Sequence, residues 1–239
     1  MTKTLWTRVL MISTLMVVGI FAQAEDFYWV NGEGSWNDFA NHWSKTSGNS
    51  GGVMQTHIPT SSDNVFFNAQ SFPGAIQNQR VMLTGTPAYC NNMDWTGATN
   101  NPKVLGSQPL YIYGSLTFIQ NMIFDIGAPT YFSSLQTASV TTAGNTIPVA
   151  AFFEGQGGHW NLQDDLKVDG NLSLNWGQLT TNNHAITCFR FNSKPTDVSN
   201  LRYLDLGNSL LTIALADDNV NSIFSCNICL LYTSPSPRD

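Results

Sequence analysis

From Trp160 to Trp176 the apolar side chains fall on even positions: Trp160, Leu162, Leu166, Val168, Leu172, Leu174 and Trp176. A period of two places one set of side chains on one face of an extended chain, so the stretch predicts successive β-strands with a buried side. Gly155, Gly157, Gly158, Gly170 and Gly177 interrupt it, where the backbone has to turn or approach another strand closely. Residues 166–174, LKVDGNLSL, have a relative at 110–118, LYIYGSLTF, and a degraded one at 204–213. The copies predict that Leu116, Leu172 and Leu210 point inward from equivalent places on stacked strands. Further short strands are expected at residues 64–68, 80–83, 89–95, 139–142, 147–149 and 185–192, separated by Pro, Gly and Asn turns. The unequal steps from Gly114 to Gly170 to Gly207 describe an irregular repeat with variable loops. The predicted fold is all-β, an irregular right-handed parallel β-helix or solenoid. A β-sandwich is the alternative, because alternating strands with frequent turns produce a similar pattern.

The two ends read differently. Lys3 and Arg8 precede an apolar run at 9–21 and then Ala22-Gln23-Ala24, the pattern of a cleaved signal peptide with Glu25 as the mature start. The run falls short of the roughly 20 apolar residues a spanning helix needs. At the other end, residues 229–239, CLLYTSPSPRD, resemble a translated sequencing adapter. The natural protein is then represented only to about Ile228, and the CxxC at Cys226–Cys229 carries no redox or metal meaning. The expected organisation is a signal peptide at 1–24, a Trp-rich N-terminal cap at 25–68, a truncated solenoid at 69–228 and the adapter-like tail at 229–239.

Charge narrows the function classes. Ten Lys and Arg against 16 Asp and Glu leave a formal charge of −6, without the basic footprint of a nucleic-acid binder. Only 11% of residues are charged, and the neutral polar remainder suits an exported β protein. Cys90, Cys188 and Cys226 then either include a disulfide, which export permits, or are buried free thiols.

Candidate chemistry is sparse. Trp29, Trp36 and Trp43 recur every seven residues around an Asn-Gly-Glu-Gly turn; they either stack on sugar rings or plug the end of the core. Asp164, Asp165 and Asp169 form the densest acidic cluster. Carboxylates of this kind can hold calcium or act as an acid–base pair, but neighbours on a strand point to opposite faces, and a solvated or structural role is preferred. No other cofactor is expected. His42, His57, His159 and His184 lack metal-ligand spacing, and no G-x-S-x-G elbow occurs. No catalytic residue is assigned.

Residues 29–44 follow W-x-N-G-x-G-x-W-x-D-x-x-N-x-W-S, and residues 59–72 follow P-T-x-x-D-N-V-F-F-x-A-x-S-F. With F-x-G-x-G-G-x-W-x-L-x-D-x-L at 153–166 and L-x-L-G-x-S at 204–209, the chain resembles large secreted surface proteins of bacteria that use the type IX secretion system. That resemblance implies a parallel β-helix-like body, a C-terminal sorting domain farther along and no catalytic motif. The expected function is a noncatalytic secreted or cell-surface scaffold, adhesin-like, binding polysaccharide or cell-surface glycans through Trp29, Trp36 and Trp43. It would bind no nucleic acid and carry no membrane span after signal cleavage. The alternative is a carbohydrate-active β-helix enzyme, a polysaccharide lyase or hydrolase.

Overall fold

A strand that buries every second residue needs a partner surface, and in this chain the partner is the chain itself one coil later. The structure, a computed structural model, describes residues 24–48, 52–193, 201–214 and the strand Phe224–Cys226. The expected leader up to Gln23, the pair Asp217-Asp218, the side chain of Cys226 and the adapter-like tail lie outside the described residues. The chain winds into a β-solenoid of about 6 turns, with only 2% helix.

Three sheets form its sides. In one representative coil Lys103–Gly106 lies on the second sheet, Leu110–Ile112 on the third and Leu116–Thr117 on the first. Stacking is in register and parallel: Leu116 sits beside Met93 of the coil before and Val140 of the coil after. Such pairing is the geometry of a solenoid and not of two facing antiparallel sheets, which removes the sandwich alternative. Each coil satisfies the backbone groups of its neighbours, so the polar main chain can enclose a dry interior. Inside, equivalent positions form columns. Cys90, Ile112, Phe132, Phe153 and Leu174 are successive register partners on the third sheet. The Phe132 and Phe153 rings stack at 4.6 Å.

The cross-section changes along the axis. The second sheet contains four strands and ends at Ile123–Ile126. Beyond it, Thr146–Ile147 and Ala150–Phe153 both pair with the single strand Leu166–Leu174. A corner has been straightened into a nine-residue strand with a register shift between Val168 and Asn171. Gly170 makes this feasible, since a Cβ there would overlap the carbonyl of Val149.

The N-terminal end is closed by aromatic side chains. Trp43–Ser44 pairs antiparallel with Asp26–Trp29 and covers the edge of the first sheet, which would otherwise offer unpaired backbone groups to another chain. Trp29 and Trp36 each meet Trp43 edge to face at 4.9 Å. Phe67 stacks on Trp95 at 3.7 Å. A helix of one turn, Phe39–His42, carries the chain across between Trp36 and Trp43.

The repeat seen in the sequence is not one structural unit. Gly114 lies at a corner, so Leu110 and Ile112 face inward from the third sheet while Leu116 faces inward from the first. Leu172 is fully buried on the third sheet, within a single strand. Leu210 is 68% exposed, just before the strand Leu211–Ile213. The same spacing of leucines around a glycine can round a corner or run through a bulge, because both preserve inward alternation. We therefore expect Leu172→Ala to cost about 2–5 kcal/mol through lost burial and the cavity left behind. Leu210→Ala should change stability by no more than about 0.5 kcal/mol. Urea unfolding midpoints of the two variants check the difference.

Candidate functional site

The residues proposed from sequence separate into structural roles. Trp29, Trp36 and Trp43 are all at most 1% exposed, and the Trp29 and Trp43 indole N–H groups donate to the carbonyls of Gly32 and Trp36 at 2.7 and 2.8 Å. Buried, with Trp29 and Trp36 packed edge to face on Trp43, they offer no surface to a sugar. The physical reason is the end of the solenoid: its interior would be open there, and large aromatic rings fill it.

The acidic cluster divides, although Asp164 and Asp165 lie in the corner between the strands His159–Leu162 and Leu166–Leu174 and not on a strand. Asp164 Oδ1 accepts from the Thr142 N–H at 2.8 Å, and its Oδ2 accepts from the Ala143 N–H, in the preceding coil. Asp165 Oδ1 accepts from the Ala185 N–H of the following coil at 2.8 Å. The adjacent carboxylates thus tie three coils together from opposite sides. Asp169 lies 3.7 Å from Lys167 Nζ, both more than half exposed. Among the described residues no group of three or more His, Cys, Asp or Glu is placed to hold a metal.

A different surface gathers chemistry that sequence reasoning did not assemble. On the outside of the third sheet Tyr89, Tyr111, Tyr131 and Phe152 form a ladder with centroids 5.1, 4.4 and 4.9 Å apart. Their faces cover one another, so the ladder presents ring edges and hydroxyl groups. Burial and the neighbouring phenols push the Tyr111 hydroxyl towards higher pKa, and it remains a donor. The signal was available: these aromatics recur at coil-length intervals, each between inward-facing positions.

Beside this ladder the third sheet turns into the first, and small residues line the corner. A Cβ on Gly155 or Gly158 would overlap the carbonyl of Ser134 in the previous coil. Gly177, at φ +74°, lies against the carbonyls of Gly155 and Gly158. Side chains are therefore missing where coils approach most closely, and the corner is sunken. Two clefts occupy it. One, of about 420 Å³, is lined by Asn91, Asn92, Tyr113, Ser115, Gln136 and Thr137 among others. The second, of about 730 Å³, includes His159, Trp176, Gln178, Leu201, Arg202 and Tyr203. Trp160 lies fully buried below its glycines.

Trp176 corrects the sequence pattern. Its even position predicted burial, yet it is half-buried and lines the second cleft. Inward alternation stops with the strand at Leu174, and Trp176 sits in the turn before Gly177. An aromatic flanked by Asn175 and Gly177 was the readable sign of a turn residue. His159 Nε2 and Gln178 Nε2 lie 2.9 and 3.1 Å from Thr180 Oγ1, which orients both side chains at the cleft. Arg202 Nε donates to Ser193 Oγ at 3.1 Å.

One carboxyl stands near the corner. Glu154 is half-buried, and its Oε1 accepts from Ser133 Oγ at 3.4 Å. Burial raises its pKa from 4.5, partly offset by the serine. The folded carboxyl holds its proton to higher pH than the unfolded one, so stability falls as pH rises through the folded value. The penalty is absent below 4.5 and complete above the folded value. Glu154→Gln should match the wild type in acid and become the more stable of the two as pH rises. Thermal melts of both proteins across this range check the sign.

Cys90 and Cys188 are buried free thiols, so the disulfide alternative does not hold for either. Burial raises the Cys90 pKa strongly and that of Cys188 to about 11. Because the thiolate is the reactive species, both should resist iodoacetamide at about pH 8 and react only after unfolding. Mass mapping of the labelled positions checks this.

Compared with known proteins, the chain matches no family model, no curated protein and no solved structure.

Proposed function

We propose that this chain is a noncatalytic recognition scaffold of a secreted or cell-surface protein, and that it binds carbohydrate at the corner between its third and first sheets. The observation that carries the reading is the cleft around Trp176 and Tyr203, where aromatic groups stand beside His159, Gln178 and Arg202. Sugars present C–H faces that pack on aromatic rings and hydroxyl groups that pair with amides, imidazole and guanidinium. The solenoid supplies rigidity, since each element of the cleft is hydrogen-bonded into the coil beneath it. Export and surface display rest on the leader-like start and the resemblance of the sequence motifs.

The enzymatic alternative has one observation in its favour, the Glu154 carboxyl with its raised pKa. Glycoside hydrolysis ordinarily needs a second carboxylate across the scissile bond, and none of the described residues lining the two clefts is acidic. Binding therefore accounts for the geometry better than turnover does.

We expect Trp176→Ala to weaken binding to neutral oligosaccharides by at least about tenfold while the far-ultraviolet circular dichroism stays native. Trp36→Phe, in the buried end, should leave binding unchanged. Calorimetric titration of the purified variants measures both. Release of reducing ends, lost in Glu154→Gln, would establish the enzymatic reading instead.

A further inference from the structure

The two clefts are neighbours on one edge of the solenoid. The last coil of the first, Ser134–Thr137, is hydrogen-bonded to the first coil of the second: the His159 N–H donates to the Gln136 carbonyl at 3.1 Å, and Thr137 is the register partner of His159. The Gln178 N–H in turn donates to Gly158 at 2.8 Å. The trough therefore continues parallel to the solenoid axis, from Ser61 through Gly114, Gln136, Gly158 and Trp176 to Leu201. With about 4.8 Å between adjacent coils, it is on the order of 30 Å long.

Its described lining is free of carboxylates. The chain carries 16 acidic residues and a formal charge of −6, yet none of the described residues lining either cleft is a carboxylate. Asp164 and Asp165 cap the opposite corner, and Asp63, near Ser61, is engaged by the Glu25 and Thr60 N–H groups. What faces the trough among the described residues is amide, hydroxyl, glycine backbone, aromatic ring and the exposed side chains of Leu135 and Leu201, with Arg202 and His159 as basic groups at one end. A polyanion would meet the net negative charge of the protein with one guanidinium among the described lining residues to offset it. A neutral polymer with a hydroxyl-rich edge and apolar ring faces meets no such cost.

We infer that the trough holds an extended, unbranched, neutral glycan lying along the solenoid axis, with roughly one sugar unit to each coil of about 4.8 Å. This inference rests on the carbohydrate-binding reading above and assigns the ligand's charge, shape and direction. Trp176 and Tyr203 hold one end by ring packing, and Gln136 with Asn91 and Asn92 holds the other by hydrogen bonds. Periodicity is the reason for the match, because a polymer with a short repeat can meet the same contacts coil after coil.

The test titrates the full chain with cellobiose and cellohexaose, with the matching chitin oligomers, and with hexagalacturonate as the acidic control. The neutral hexamers should bind at least about tenfold more tightly than the dimers, and hexagalacturonate more weakly than either neutral hexamer. Gln136 and Leu135 are exposed, so Leu135→Ala with Gln136→Ala can be made without disturbing the core. That double variant should remove the hexamer advantage and leave dimer binding intact, while Trp176→Ala weakens both. Equal affinity for dimers and hexamers, or preference for the acidic hexamer, overturns the inference and leaves the carbohydrate-binding reading standing. Absence of binding to every sugar overturns both.

Discussion

Parallel hydrogen bonding between successive coils is the constraint on which the rest of the molecule depends. Strands in a sheet lie about 4.8 Å apart, and a side chain at one place in a coil is held at that distance from its equivalents above and below. Like side chains therefore accumulate in columns. Aromatics stack flat, as Tyr111 does on Tyr131 at 4.4 Å with 7° between the rings. Corner residues donate into the previous coil, as Asn100 does to the Phe72 carbonyl at 2.7 Å and Asn182 to the Leu162 carbonyl at 2.9 Å. Where two corners come close enough to exclude a Cβ, glycine is required.

That last condition connects the fold to its candidate function. At Gly114, Gly155, Gly158 and Gly177 the corner has no side chains where the coils approach most closely, and clefts open there. The groups that face the trough come from positions just before and after the glycines, which the coils hold rigidly. Trp176 and Tyr203 belong to adjacent coils yet line the same cleft, and their chain separation has no bearing on the distance between them. The carboxylates that sequence proximity suggested as a pair serve the opposite corner, one reaching back to Thr142 and Ala143 and the other forward to Ala185.

Closure of the N-terminal end explains the other prominent sequence feature. Three tryptophans spaced seven apart are a strong pattern, and large aromatic residues suit either recognition or burial. The end of the solenoid decides in favour of burial, because among the described residues no further coil covers the interior there. Trp29, Trp36 and Trp43 fill that space, and Trp43–Ser44 covers the sheet edge.

By itself the sequence determined the class of structure and the buried side of most strands, because alternation and turn chemistry are local. Residues 160–174 show inward-facing Trp160, Leu162, Leu166, Val168, Leu172 and Leu174 as their spacing required. The glycines around residue 155 stand where backbone meets backbone. The sequence could not determine which sheet a strand joins, since a corner at Gly114 and a bulge at Gly170 interrupt similar patterns. Nor could it bring Gln136, His159, Trp176 and Tyr203 to one surface. Only the tertiary structure decided that, because coil length varies from one turn to the next and the superposition of distant residues follows from the register of the stacked strands.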